Sequence, residues 1–193
     1  MKQLLIRGVP VVSLAIVSAL TLGLLPGEVV GAALKADAVA STVTVVFKQL
    51  NVPVEAKFKN INAQIDYDAT RLNASKAIVE IDVASFDLGD PDYNKEVLKK
   101  EWFNAAQFPK ATFVSSAIAP GIAGKLTVSG QLTIKGKTAD ISFPLTVKQQ
   151  AGHKVFDGAL PIKRTQFNIG EGEWKDTSVV ADEVVIKFHI VTP

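Results

Sequence analysis

Cysteine is absent from the 193 residues, and methionine occurs once, tryptophan, tyrosine and histidine twice each. Without cysteine there are no disulfides, thiolate nucleophiles or thiolate metal sites, and no lipid-modified cysteine after a leader. Of the two histidines, His153 sits beside Gly152 in an expected turn, and His189 is out of phase with Ile186, Phe188 and Ile190. Both read as solvated surface side chains. No H-E-x-x-H, G-x-S-x-G, P-loop or G-x-G-x-x-G pattern occurs, so zinc protease, serine hydrolase, NTPase and dehydrogenase readings lack their minimal residues. Neither sign of charge dominates. With 21 Lys and Arg against 19 Asp and Glu, the chain has no electrostatic footprint for nucleic acid or anionic lipid.

The N-terminus reads as an export leader. Lys2 and Arg7 give it a basic start, Val9 to Leu25 are mostly apolar, and Pro26-Gly27 end any helix. Val30-Gly31-Ala32 offers the small residues a signal peptidase needs, so cleavage is expected after Ala32, with Ala33 or Ala38 as alternatives. A membrane anchor is the competing reading, but a spanning helix wants about 20 apolar residues and a charged stop. Removing residues 1–32 leaves one domain, 33–193. The loss of Lys2, Arg7 and Glu28 takes the net charge from +2 to +1. An exported, unanchored chain is expected in the periplasm of a two-membrane host.

What the mature chain does have is period-two alternation, seen in Val43, Val45, Phe47; Val54, Ala56, Phe58; Ile61, Ala63, Ile65, Tyr67; and Val79, Ile81, Val83. It returns in Leu126, Val128, Leu132, Ile134; Ile141, Phe143, Leu145, Val147; and Val184, Ile186, Phe188, Ile190. Strands send successive side chains to opposite faces, so each segment has one apolar and one wet face. Three strands are expected from Thr42 to Tyr67, a fourth over Ala77 to Val83, and five more over 111–116, 125–134, 138–147, 155–162 and 183–191. Residues 33–40 read as a flexible start. The fold class is therefore all-β, an antiparallel up-and-down barrel of about eight strands rather than a sandwich. At that size a barrel interior is either filled by side chains or holds one slender ligand.

One helix interrupts the strands. Asp90 can cap it with Pro91 at the first position, and Tyr93 with Val97 and Leu98 with Trp102 form a stripe that carries it toward Pro109. The cluster Asp87, Asp90, Asp92 suggests calcium, but it lacks the glycine and distal glutamate of an EF-hand loop, and capping accounts for it. Trp102, Phe103, Phe108 and Phe113 gather at the helix end, either as a plug or as a gate. Arg164 shares a strand face with Leu160 and Ile162, so it points inward, either to a polar ligand head or to a barrel carboxylate.

The segments Val79-Glu80-Ile81-Asp82-Val83-Ala84-Ser85-Phe86-Asp87-Leu88-Gly89, Trp102-Phe103-Asn104 with Gln107-Phe108-Pro109-Lys110-Ala111-Thr112-Phe113, Gly130-Gln131-Leu132-Thr133-Ile134-Lys135-Gly136 and Lys163-Arg164-Thr165-Gln166-Phe167 together resemble the YceI-like family over about 41–191. The resemblance implies a lipocalin-like barrel with one short capping helix, whose apolar interior holds a polyisoprenoid chain or an isoprenoid quinone in the periplasm. Some family members occur with cytochrome b561-type membrane proteins. The chain departs from the family pattern at Tyr93-Asn94-Lys95 and at Asn168.

The expected reading is a non-enzymatic carrier with no metal or resident cofactor beyond a bound lipid. Its apolar wall is Phe47, Phe58, Ile65, Val79, Ile81, Val128, Phe143, Leu145 and Phe188, its mouth is Trp102 and Phe108, and Arg164 and Tyr67 are head-group contacts. A homodimer through exposed barrel edges is a further expectation. The rival readings are a solid-packed, stress-related interaction module and, more remotely, an enzyme acting on a bound lipid.

Overall fold

Each alternating run becomes a strand in the computed structural model, which describes residues 33–193; the expected leader lies outside them. The strands are β1 (Leu34–Lys35), β2 (Thr42–Gln49), β3 (Val52–Phe58), β4 (Ile61–Asp66), β5 (Lys76–Asp82), β6 (Phe86–Asp87), β7 (Lys110–Pro120), β8 (Leu126–Ile134), β9 (Lys137–Gln150), β10 (His153–Lys163) and β11 (Glu183–Thr192). All pair antiparallel in one sheet, in the order β1-β4-β5-β7-β8-β9-β10-β11-β2-β3-β6. The first and last of the long strands meet where β11 pairs with β2, from Val185 opposite Val46 to His189 opposite Thr42.

That order leaves β3 and β4, consecutive in the chain, at the two ends of the run of long strands. Because every step between them is antiparallel, β3 and β4 run in the same direction, and only Lys59 and Asn60 separate them. They act as one long strand bent at residues 59–60, its first half hydrogen-bonded to β2 and its second to β5. Counted that way the barrel has eight strands.

Two short strands finish the edges. β6 pairs with β3 through Lys57 and Phe58. β1 pairs with β4, and the next amides follow it: Ala36 donates to the Ala63 carbonyl at 2.9 Å and Asp37 to that of Val191 at 2.8 Å. The expectation of a flexible start is thus corrected at residues 34–37. An uncovered edge of β4 would leave donors and acceptors unpaired, and this segment satisfies them.

Inside, alternate residues form one core in which Ala56, Phe58, Ile61, Ala63, Ile65, Val128, Leu132, Phe143, Leu145 and Ile190 are buried. Outside, polar cross-strand pairs such as Ser129 with Ser142 and Thr133 with Thr138 face water. Among the described residues no helix is long and apolar enough to cross a membrane.

The helix is much shorter than the stripe predicts. Asp90 does cap it, accepting from the amides of Asp92 and Tyr93, but α1 spans only Pro91–Glu96. Beyond it Leu98 and Lys99 bond three residues back, Phe103 donates to Val97, and Asn104 takes a φ of 50°. Winding the chain in tight turns sends Val97, Trp102 and Phe103 into the barrel, and burial of those rings outweighs continued helix. Asp87 ties α1 to the bend: it accepts from Lys59 at 2.6 Å, from the Asn94 amide at 2.9 Å and from the Gly89 N–H at 3.0 Å. These donors, Lys59 foremost, hold its carboxyl well below the usual carboxylate range. A carboxyl depressed on folding stabilises above its unfolded pKa and ceases to do so as pH falls through the folded value. Asp87→Asn is therefore expected to lower the urea midpoint at neutral pH, with the gap to the parent protein narrowing below about pH 4.

The β2–β3 hairpin turns through Leu50 and Asn51, both at positive φ, 49° and 65°. A mirror-type two-residue turn suits Asn and Gly, whereas a leucine side chain crowds the backbone there. Leu50 is also 66% exposed and packs little. Leu50→Asn is expected to stabilise the protein by about 1 kcal/mol in a denaturant titration.

Candidate ligand cavity

The inward faces of the sheet do not meet at the centre; they enclose a cavity of about 260 Å³. Its wall is built by parity, since the same alternation that makes a strand aims every second side chain inward. All nine residues expected as wall line it: Phe47 on β2, Phe58 on β3, Ile65 on β4, Val79 and Ile81 on β5, Val128 on β8, Phe143 and Leu145 on β9, and Phe188 on β11. Lining residues on β11 run from Val184 to Ile190, which at ~3.4 Å per residue is about 20 Å of strand.

Aromatic rings divide this space. Phe143 lies between Phe113, 5.5 Å away, and Phe188, 5.3 Å away in a T-shaped contact. Phe188 lies flat on the sheet because its neighbour across the ladder is Gly158, where a Cβ would come within 2.1 Å of the ring. Gly130, diagonal to Phe113 in the ladder, also gives its ring room: a Cβ there would lie 2.7 Å from the ring and 2.3 Å from the Val114 carbonyl oxygen. Elsewhere Phe58 packs edge-on to Phe86 at 5.5 Å and Phe103 at 6.1 Å, and Tyr67 does so to Phe156 at 5.6 Å. The polar members of the lining are Gln49, Tyr67, Glu96, Thr112 and Arg164. Glu96 is paired with Lys99. The two histidines are not in the lining: His189 Nδ1 lies 2.6 Å from Asp157 Oδ1 and His153 Nδ1 3.3 Å from the Thr192 carbonyl.

Arg164 points inward as expected, although it lies just past β10 and opens a 3-10 turn over Arg164–Phe167, but it is not placed to hold a ligand head. It is 2% exposed, and every guanidinium nitrogen donates to backbone carbonyls. Nε reaches Val180 and Ala181 at 3.3 and 3.2 Å, Nη1 reaches Ile169 and Gly170 at 2.8 and 3.1 Å, and Nη2 reaches Trp174 and Val180 at 2.9 and 2.8 Å. An arginine has five N–H donors, and these bonds occupy all three of its nitrogens. The alternative of a carboxylate partner fails too, since carbonyls take its place. Burial lowers its pKa and the Asp182 carboxylate opposes that fall. Arg164 thus knits residues 164–181 into the plug at one end of the barrel, and Lys135 pins the same segment through the Asn168 carbonyl and Glu171.

Phe108 is the second correction. It does not line the cavity; its ring lies against Gly136, where a Cβ would be 2.7 Å from Cε1, and so it packs the β8–β9 turn. Trp102 does line the cavity, stacked at 5.3 Å and a tilt of 53° against Trp174, with the Arg164 guanidinium carbon 5.9 Å from its ring centre. Trp174 was missed because its loop has no periodicity. Phe86, Val97, Leu160 and Ile169 also line the space.

The geometry has counterparts among known proteins. A crystal structure of BcnA from Burkholderia cenocepacia superposes with a TM-score of 0.80 at 54% identity, over 82% of this chain and 99% of that one. A Saccharophagus degradans domain described as a polyisoprenoid-binding domain implicated in plant cell wall breakdown shares the fold, with a TM-score of 0.68 at 19% identity over 84% of this chain and 98% of that one. In sequence, a UPF0312 protein of Shewanella denitrificans is 30% identical over 108 residues, 56% of this chain and 53% of its own. One from Vibrio vulnificus is 30% identical over 125 residues, 60% of this chain and 65% of its own. The chain thus spans about half to two thirds of the length of these two curated relatives. The family model for the YceI-like domain matches residues 34–192, from the first strand to the end of the last, and the chain belongs to that family.

Proposed function

We propose that this protein is a non-enzymatic periplasmic carrier that holds the tail of a long-chain isoprenoid lipid, a polyprenyl lipid or an isoprenoid quinone, in the barrel interior. The observation that carries the reading is the cavity itself: its wall is aliphatic and aromatic on every long strand, and its polar members are few. A branched hydrocarbon chain fits such a wall without asking it for hydrogen bonds. Each Å² of tail removed from water contributes about 25 cal/mol, so affinity grows with length while the walls need no chemistry. The likeness to a polyisoprenoid-binding domain supports the same class of cargo.

Native mass spectrometry of protein purified from periplasm without detergent, followed by organic extraction, tests this directly. A stoichiometric isoprenoid is the expected result, and it would name the cargo. A ligand-free mass that persists after incubation with quinones and polyprenyl lipids would overturn the reading in favour of a module that works through its outer surface.

A further inference from the structure

One donor in this cavity is unaccounted for. Among the described residues, the Trp102 indole nitrogen is the one buried side-chain polar atom with no hydrogen-bond partner. Folding normally pairs such groups, because an indole N–H taken from water and left without an acceptor destabilises the folded state. The carbonyls of Ile169, Gly170, Trp174, Val180 and Ala181 accept from Arg164, whose guanidinium carbon is 5.9 Å from the ring centre, and none of them accepts from Trp102. The tilted Trp174 ring at 5.3 Å offers at most an N–H···π contact, which is weak beside an oxygen acceptor.

We propose that the missing acceptor is a neutral oxygen on the head group of the cargo, so that Trp102, and not Arg164, recognises the head. The proposal rests on the carrier reading and adds an orientation to it: the head sits at the plugged end beside Trp102 and Trp174, and the tail runs along the wall toward Leu145 and Ile190. The electrostatics select the acceptor. The Arg164 guanidinium near the ring favours an electron-rich oxygen, yet its donors are all spent. A phosphate would therefore find one N–H where it needs several, whereas a quinone carbonyl is satisfied by one. The N–H itself is closed off by its packing while Trp102 as a residue is only partly buried and lines the cavity, so binding of the head requires the indole to turn until the N–H meets the oxygen. The unpaired donor in the empty protein is then a stability cost retained at a functional position.

Trp102→Phe keeps an aromatic ring and removes the donor, together with part of the ring volume that packs on Trp174 and Arg164; squalene, which meets the same wall without an oxygen, reports that second loss by itself. Calorimetric titration of the parent and the variant with ubiquinone, with squalene as an isoprenoid hydrocarbon lacking oxygen, and with a polyprenyl phosphate separates the terms. The expected result is a roughly tenfold loss of ubiquinone affinity, the size of one hydrogen bond, with a much smaller loss for squalene and little change in the melting temperature of the ligand-free variant, because release of the unpaired donor offsets the lost ring volume. Equal losses for ubiquinone and squalene would overturn the proposal and make Trp102 a wall residue. A lowered melting temperature with the quinone preference intact would overturn it differently, showing that the Trp174 face already satisfies the N–H. A parent protein that prefers the phosphate would refute the neutral-acceptor assignment. One that binds none of the three would remove the carrier reading, a failure that shows in the parent before any variant is compared.

Discussion

Arg164→Met is expected to cost this protein on the order of 3–5 kcal/mol, the range seen when one partner of a buried charged network is removed. Methionine fills much of the volume, so the loss is one of hydrogen bonds and not of packing. Five carbonyls, those of Ile169, Gly170, Trp174, Val180 and Ala181, would lose their donor at once. Each left buried and unpaired costs about 1–3 kcal/mol before relaxation. Relaxation would loosen residues 164–181, which carry Trp174 and Val180 into the cavity. Arg164→Lys is expected to rescue only part of the loss, because an ammonium brings three donors from one point and cannot span carbonyls spread around a planar fork. For a domain of this size the methionine variant should melt roughly 10 °C lower. Near-UV circular dichroism should change with it, since the Trp102 ring packs on this arginine and on Trp174, whose carbonyl the arginine holds. A melting point within a degree or two of the parent would mean that water, and not Arg164, satisfies those carbonyls.

How far the molecule can be read from its sequence follows from the range over which each signal acts. Period-two alternation is local, and its seven runs place seven of the nine long strands and aim all nine expected wall residues into the cavity, while β7 and β10 lie outside those runs. β1 and β6 are two residues each, too short to show a period, and the continuity of β3 into β4 appears only once the ladder order is known. The helix was overextended because Tyr93, Val97, Leu98 and Trp102 do lie four apart in pairs; what ends α1 is the demand of Val97, Trp102 and Phe103 for the interior. The two residues misplaced at the site share one cause. Phase shows that Arg164 points inward, but its acceptors come from loops up to 17 residues away. Phe108 reads as a mouth residue from its company in sequence, while its partner is Gly136, in the turn after β8. Both contacts are long-range, and no local pattern encodes them.

A carboxylate in the middle of the aromatic course should empty the cavity. Phe143→Asp removes the ring that touches both Phe113 and Phe188, at a position 7% exposed and directly across the ladder from Val128. An ionised aspartate there has two outcomes, and both oppose a lipid tail. It can draw water into the barrel, so that the tail no longer leaves water on binding, or it can stay dry and be forced toward its neutral form, with a raised pKa. Burying the charge beside hydrocarbon costs several kcal/mol, so lipid occupancy should fall by at least ~100-fold at neutral pH. The sign of the pH effect follows from the raised pKa: as pH falls through it the carboxyl becomes neutral, and part of the binding should return. Loss of fold alone would not behave that way, because acid does not refold a damaged core. Val114→Asp supplies the control, since Val114 is one residue out of phase with Phe113 on β7 and 47% exposed. It should leave extractable lipid unchanged. Full lipid occupancy in Phe143→Asp would show that the cargo bypasses the aromatic course and that the wall lies elsewhere in the barrel. Loss in both variants would trace the effect to net charge instead of position. Loss in the inward variant alone, reversed in part by acid, ties binding to the dry interior that the period-two pattern creates.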